Sequence, residues 1–242
     1  LPAPGTELSR SGEAEYVAPR CATELCLVGL WEKVLRRHPI GITDDFFELG
    51  GHSVLASRLF ALIEKTMGVN VPLATLLHDS TIEGLSQSLQ RQDWTSSWSS
   101  VVPIQPGGSR RPFFCIHAAE GNILIYRNLA LHLGDDQPVY GLQAKGLDGK
   151  APTLSTFEEL AARYVDEIKT VQPEGPYHLG GYCLGGTLAY EIAQQLRANG
   201  DEVRLLALFE TYNVRPLITR LSASRFLQLR HLVQNLRYHW LN

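Results

Sequence analysis

Two positions in this sequence pair a nucleophilic side chain with a backbone setting that makes it useful. The first is Ser53, which follows Gly50-Gly51-His52 and opens an amphipathic stretch. Serine at such a place reads first as a helix N-cap, since its hydroxyl accepts from backbone N–H groups of the first turn. Its neighbours point elsewhere. Phe46, Phe47 and Leu49 are placed to anchor a loop, and the two glycines leave the backbone open to an approaching enzyme or prosthetic group. The head of a helix also favours a phosphate held on Ser53, which is expected to be exposed. The second position is Cys183, within Gly180-Gly181-Tyr182-Cys183-Leu184-Gly185-Gly186. This fits the nucleophile-elbow pattern G-x-S-x-G with cysteine in the serine's place, the setting of covalent acyl transfer.

An elbow nucleophile needs donors for an oxyanion and an acid further along the chain. The N–H of Leu184, directly after Cys183, supplies one donor, and the loop at His117-Ala118-Ala119-Glu120-Gly121 is the expected source of another. Glu210 closes the apolar run that follows the elbow and stands where the acid should be. His117 reads as a loop-shaping residue, because in this pattern the base follows the acid in the chain. Cys115, in mid-strand among Phe113, Phe114 and Ile116, reads as core, and Cys21 and Cys26 lie in no motif.

The elements that must hold these residues divide into two kinds. Apolar residues at helical spacing (Leu25, Val28, Leu30, Trp31, Val34, Leu35) predict a helix after Thr23 as cap. A second helix is expected over 53–67, stopped by Gly68, and a third from Thr81 with Ile82, Leu85 and Leu89 inward. Together they make a small all-α bundle over 20–91. From 112 onward, apolar runs at 112–118, 138–144, 177–183 and 204–210 read as strands, with helical patterns at 122–133, 156–171 and 184–199 between them. Such alternation implies a parallel sheet with helices on both faces. Residues 1–19 and 92–111, rich in Pro, Gly and Ser, read as linkers.

Composition narrows the function further. The 242 residues carry 22 Lys and Arg against 25 Asp and Glu, a net charge of −3 that offers no excess for a nucleic-acid backbone. The apolar runs are too short for a membrane helix and the start carries no signal pattern, so the chain reads as soluble and cytoplasmic. Its four cysteines form neither a disulfide framework nor a zinc pair, and no metal is expected.

Residues 20–91 resemble a peptidyl carrier domain of a nonribosomal peptide synthetase, through Tyr16-Val17-Ala18-Pro19-Arg20, Leu30-Trp31, the run DDFFELGGHSVLASRL from Asp44 to Leu59, and Val71-Pro72-Leu73. The resemblance implies a covalent 4′-phosphopantetheine cofactor on Ser53, a phosphopantetheinyl transferase as partner, and upstream adenylation and condensation domains. Residues 112–215 resemble a terminal thioesterase domain of the α/β-hydrolase superfamily, through PFFCIHAAEGN, YGLQAKGLDG, the run from Ser155 to Leu196 and LLALFETY, and the domain is expected over 112–242. By that likeness Cys183 is the acyl-accepting nucleophile, Leu184 and Ala119 are the oxyanion N–H donors and Glu210 is the triad acid. Three residues depart from the family pattern: Cys183 replaces serine, Glu210 replaces aspartate and Ala118 replaces a proline.

Only His231 and His239 follow Glu210, in a stretch that the resemblance makes the start of a helical lid from about 216. The family's catalytic histidine comes later, after further strands, so the sheet is expected to be C-terminally incomplete and the chain a fragment lacking its base. The reading is a carrier and chain-releasing thioesterase that passes an acyl or peptidyl thioester from Ser53 to Cys183 and releases it by hydrolysis, cyclisation or aminolysis. A non-catalytic carrier and docking module, or an acyltransferase to an external nucleophile, stands as the alternative.

Overall fold

The structure is a computed structural model that describes residues 16–91, 100–144 and 156–211. These fall into two compact units, the first holding the described residues 16–71 and 78–91 and the second 72–77, 100–144 and 156–211. Among the described residues no helix is long and apolar enough to cross a membrane.

The first unit is helical. Helix α1 (Ala22–Leu35) packs against α2 (Ser53–Met67) and α4 (Ile82–Arg91); the single-turn α3 (Thr75–His78) lies between the last two in sequence but, except for His78, groups with the second unit. Leu27, Val28, Trp31 and Val34 form the buried stripe of α1, whereas Leu25, expected to face inward, is 62% exposed. Thr23 is not the cap either. The chain turns into α1 at Cys21, which makes no side-chain cap bond, and the Glu24 carboxylate accepts from the Arg20 backbone N–H at 2.6 Å instead. The Arg20 guanidinium spans Glu24 (2.8 Å) and Glu83 (2.5 Å), tying the entry of α1 to the first turn of α4. The guanidinium beside it holds the Glu24 carboxyl below the usual carboxylate range. Gly68 ends α2 as expected, with φ +71 and its N–H on Glu64 O.

The second unit is built on a five-stranded sheet in the order β1-β3-β2-β4-β5: β1 (Val101–Gln105), β2 (Phe113–Ile116), β3 (Val139–Leu142), β4 (Tyr177–Tyr182) and β5 (Val203–Phe209). Four strands are parallel, as expected, but β1 pairs antiparallel with β3 and falls inside the stretch expected to be a linker. An edge strand tolerates Pro103, which would break a ladder in the sheet interior. The sheet is therefore mixed. Successive residues of β2 serve the two faces: Phe114 and Ile116 pack with α6 (Phe157–Val171) and α7 (Leu184–Ala198). Phe113 and Cys115 pack with Ile123, Tyr126 and Ala130 of the 3-10 turn (Leu124–Tyr126) and α5 (Arg127–Leu133). A complete capping box starts α6, Thr156 accepting from the Glu159 N–H while Glu159 accepts from the Thr156 N–H.

Candidate functional site

Ser53 is the first residue of α2, and the N-cap ahead of it is His52, in extended conformation with no side-chain cap bond. Ser53 is thus half-buried at the helix head, where exposure was expected, and among the described residues nothing hydrogen-bonds its hydroxyl. The loop before it explains the glycine pair. Asp45 organises a turn, its carboxylate accepting from the N–H groups of Phe47 (2.8 Å) and Glu48 (3.1 Å). Phe46, fully buried edge-on against Trp31 at 5.1 Å, pins that turn to the core. Gly50 takes φ +93 with open space around it, so its requirement is conformational. Gly51 has a steric requirement, because a Cβ there would strike the Phe46 ring and the Phe46 backbone carbonyl oxygen. The first turn of α2 holds no acidic residue. Its free N–H groups and uncommitted hydroxyl fit a phosphodiester on Ser53.

Cys183 stands one residue beyond β4, half-buried, and caps α7 with φ +53 and ψ −116. A left-handed φ at a non-glycine residue costs of order 1–3 kcal/mol and persists only where the surroundings impose it. Here they do so through glycines. A Cβ on Gly181 would strike the Gly185 carbonyl, and one on Gly185 would strike the Ile116 carbonyl and lie 2.7 Å from that of His117. A Cβ on Gly186 would strike the Thr211 side chain. The first turn of α7 therefore bears directly on the end of β2 and on the turn after β5. The Cys183 N–H donates to Phe209 O at 2.9 Å, fixing the elbow to β5.

Glu210, one residue past β5, also has a positive φ of 45. Its carboxylate accepts a hydrogen bond from the Tyr182 hydroxyl at 2.9 Å, which raises the Tyr182 phenol above its ordinary range. The turn after β2 brings Ala119 to the surface, and no acceptor among the described residues takes up the N–H of Ala119 or of Leu184. His117 is buried. Its Nδ1 meets Ala118 O at 2.6 Å, so Nδ1 carries the proton, and Nε2 meets the Tyr164 hydroxyl at 2.7 Å. One nitrogen is engaged within the loop and the other ties it to α6. Cys115 is fully buried, which pushes its thiol far above the ordinary range.

Cys183, Glu210, Leu184 and the 117–119 loop are thus gathered at the carboxyl ends of β2, β4 and β5. His231, His239 and the expected lid lie outside the described residues. Among the described residues, no group of three or more His, Cys, Asp or Glu side chains is arranged to hold a metal ion. Tyr126 and Tyr182 escaped the sequence reading, and Tyr182 is flagged only by its place inside the elbow motif. The hydroxyl of Tyr126 donates to Ile116 O at 2.6 Å and accepts from the Tyr182 N–H at 2.8 Å.

A cysteine lifted on a strand-to-helix elbow at the carboxyl end of a largely parallel sheet, with a glutamate at the end of the next strand, has the backbone arrangement of the α/β-hydrolase elbow. Residues 111–237 match the thioesterase domain family and residues 27–89 match the phosphopantetheine attachment site family. The chain belongs to the thioesterase domain family and carries a phosphopantetheine attachment domain ahead of it. It is 38% identical over 212 residues to the dimodular nonribosomal peptide synthase of Bacillus subtilis, covering 88% of this chain and 9% of that protein. It is 40% identical over 214 residues to malpinin synthetase of Mortierella alpina, covering 87% and 3%. The chain therefore spans less than a tenth of the length of these relatives. Among solved structures, a holo four-domain nonribosomal peptide synthetase bound to AMP and glycine superposes with a TM-score of 0.51 at 35% identity, over 87% of this chain and 16% of that one.

Proposed function

We propose that this chain holds an acyl or peptidyl thioester on Ser53 and releases it through Cys183, as the carrier and thioesterase of a nonribosomal peptide synthetase. The observation that carries the reading is the backbone of Cys183, held at φ +53 between β4 and α7 by glycine contacts on both sides. Membership of the phosphopantetheine attachment family supports Ser53 as the site of the 4′-phosphopantetheine arm, installed by a phosphopantetheinyl transferase. When attached, that group supplies a thiol that presents the acyl chain as a thioester. Upstream adenylation and condensation domains would supply the acyl chain.

The rest of the chemistry falls to this chain. The Cys183 sulfur attacks the thioester carbonyl, a new C–S bond forms, and the carbonyl electron pair moves to oxygen, where the N–H groups of Leu184 and Ala119 receive the charge. Collapse expels the leaving thiol, which takes the proton that Cys183 gave up. Water then gives hydrolysis, and an amine or hydroxyl gives aminolysis or cyclisation. Because acyl-Cys183 is itself a thioester, the first transfer is nearly isoenergetic and the second keeps its driving force. Glu210 is assigned the role of orienting a histidine base, with Tyr182 on its carboxylate.

Intact-mass measurement after incubation with coenzyme A and a transferase should show one pantetheine addition, absent in Ser53→Ala. With an acyl-pantetheine on Ser53, peptide mapping should then find acyl on the Cys183 peptide. Acyl that leaves Ser53 at the parent rate in Cys183→Ala would sink the reading.

A further inference from the structure

We propose that Tyr126 is a positioning residue for oxyanion stabilisation, its hydroxyl fixing the end of β2 to the residue that precedes Cys183. This rests on the reading of Cys183 as nucleophile with Ala119 and Leu184 as donors. The sheet register shows why such a fixing matters. Phe113 N–H donates to Pro138 O and His117 N–H donates to Leu142 O, both at 2.9 Å, so the odd-numbered residues of β2 turn their backbone groups toward β3. The even-numbered ones therefore face β4. Ile116 and Gly181 form the last register pair of β2 and β4, which makes Ile116 C=O and Tyr182 N–H the groups that meet where the two strands end.

The Tyr126 hydroxyl occupies that last rung, donating to Ile116 O at 2.6 Å and accepting from Tyr182 N at 2.8 Å. Tyr126 is 3% exposed, and burial pushes its ionisation well above the ordinary phenol range, so the hydroxyl keeps the proton that it donates. Beyond the rung the two strands carry different parts of the site. Ile116 leads through His117 and Ala118 to the Ala119 donor, and Tyr182 leads directly to Cys183 and the Leu184 donor. The spacing of the two N–H groups is set by this hydroxyl together with the Gly185 contact on the Ile116 and His117 carbonyls. Donors of this kind act only when charge develops on the oxygen. Loss of the hydroxyl should therefore impair reactions that form an oxyanion and spare simple substitution at the sulfur.

Two reagents on the 242-residue chain separate these cases. Iodoacetamide alkylates Cys183 by displacing iodide from carbon and forms no oxyanion. N-Acetylphenylalaninal accepts the thiol sulfur at its carbonyl carbon, the C=O electron pair moves to oxygen and the thiol proton follows, giving a hemithioacetal whose oxygen lies at the oxyanion position. Its affinity is read as protection of Cys183 from alkylation, followed by peptide mapping. In Tyr126→Phe the alkylation rate should stay within about twofold of the parent while the half-protecting aldehyde concentration rises about tenfold or more. If Tyr126→Phe does not fold, 3-fluorotyrosine at position 126, which keeps the ring and weakens the hydroxyl as acceptor, should move protection the same way by a smaller factor. Unchanged protection, or alkylation falling in parallel with it, overturns the proposal. A parent chain whose Cys183 alkylates without any aldehyde protection overturns the nucleophile reading instead, and the proposal with it.

Discussion

The attachment loop and the elbow are spelled alike, Gly50-Gly51-His52-Ser53 and Gly180-Gly181-Tyr182-Cys183, and each delivers its reactive side chain to the head of a fifteen-residue helix. Their backbones differ. In the loop the left-handed conformation falls on Gly50, where it is cheap, and Ser53 enters α2 with ordinary helical geometry. At the elbow both glycines lie in β4, and the left-handed conformation falls on Cys183 itself. A residue that another enzyme must reach needs access, and a relaxed first turn gives it. The attack proposed for Cys183 needs a fixed direction, and strain held by close backbone contacts supplies one. What separates two similar strings is thus the partner each glycine meets: the ring and carbonyl of Phe46, within its own loop, for Gly51, and the α7 backbone for Gly181.

Exchanging oxygen for sulfur should break the two sites in opposite ways, and this is the largest effect expected. Ser53→Cys should take up no pantetheine by intact mass, because the transferase builds a phosphate ester through a hydroxyl. Cys183→Ser should keep some hydrolysis while losing any preference for amine nucleophiles, since its acyl-enzyme becomes an ester. Equal and complete loss in both exchanges would deny that the second site acts by its own nucleophilicity.

Accessibility provides the next test. Cys115 and Cys183 sit in the same unit, one with no exposure and one half-open at the elbow. Alkylation of the native chain should favour Cys183 over Cys115 by at least about 100-fold, since Cys115 reacts only through opening of the sheet. Comparable rates would show that the elbow holds its thiol no more open than the core does.

The glycines should then rank by what they touch. Gly181→Ala drives a methyl into the Gly185 backbone, which cannot move without displacing α7, so a loss of about 3 kcal/mol or more is expected. Gly51→Ala meets both the Phe46 ring and the Phe46 backbone carbonyl oxygen, so its loss should approach that of Gly181→Ala, about 2–3 kcal/mol. Gly50→Ala meets nothing and carries only the left-handed penalty, about 1 kcal/mol. Urea denaturation of each variant checks the order, and a Gly50 effect larger than that of Gly181 would reverse the conformational assignment.

Most of the framework was legible because its signals are local. The stripes of α2 and α4, the stop at Gly68 and the G-x-C-x-G elbow each lie within a few consecutive residues. Strand β1 was hidden because Val101, Val102 and Ile104 sit among serines, prolines and glycines, and what makes them a strand is pairing with β3 far along the chain. The cap of α1 was misplaced on Thr23 because the N-cap is Cys21, which makes no side-chain cap bond, and the Glu24 carboxylate three residues on reaches back to the Arg20 N–H instead. Tyr126 gave no sign for a related reason. It reads as one more aromatic in a helical pattern, and only the register of β2 against β4 reveals which carbonyl and which N–H its hydroxyl meets.

The smallest expected effect concerns how helices α2 and α7 begin. Helices α1, α4 and α6 carry glutamates in their first turns (Glu24, Glu83, and Glu158 with Glu159), whereas α2 and α7 carry no acidic residue there and no side-chain cap. A helix head has partial positive charge, so an acid placed there stabilises and its absence leaves the charge for something else. Among the described helices of ten or more residues, the two that present Ser53 and Cys183 are the ones left open. His52→Asp should supply the missing cap and stabilise the first unit by about 0.5–1 kcal/mol at neutral pH. The gain should fade as pH falls through the carboxyl's titration, because a capped Asp has a depressed pKa and its contribution is present only above it. The same carboxylate would occupy first-turn N–H groups and repel an incoming phosphate, so pantetheine transfer should slow several-fold, more at low salt than at high. Urea midpoints across pH and transfer rates by intact mass read both sides. A variant that is stabilised yet modified as fast as the parent would show that the open head of α2 plays no part in receiving the anion.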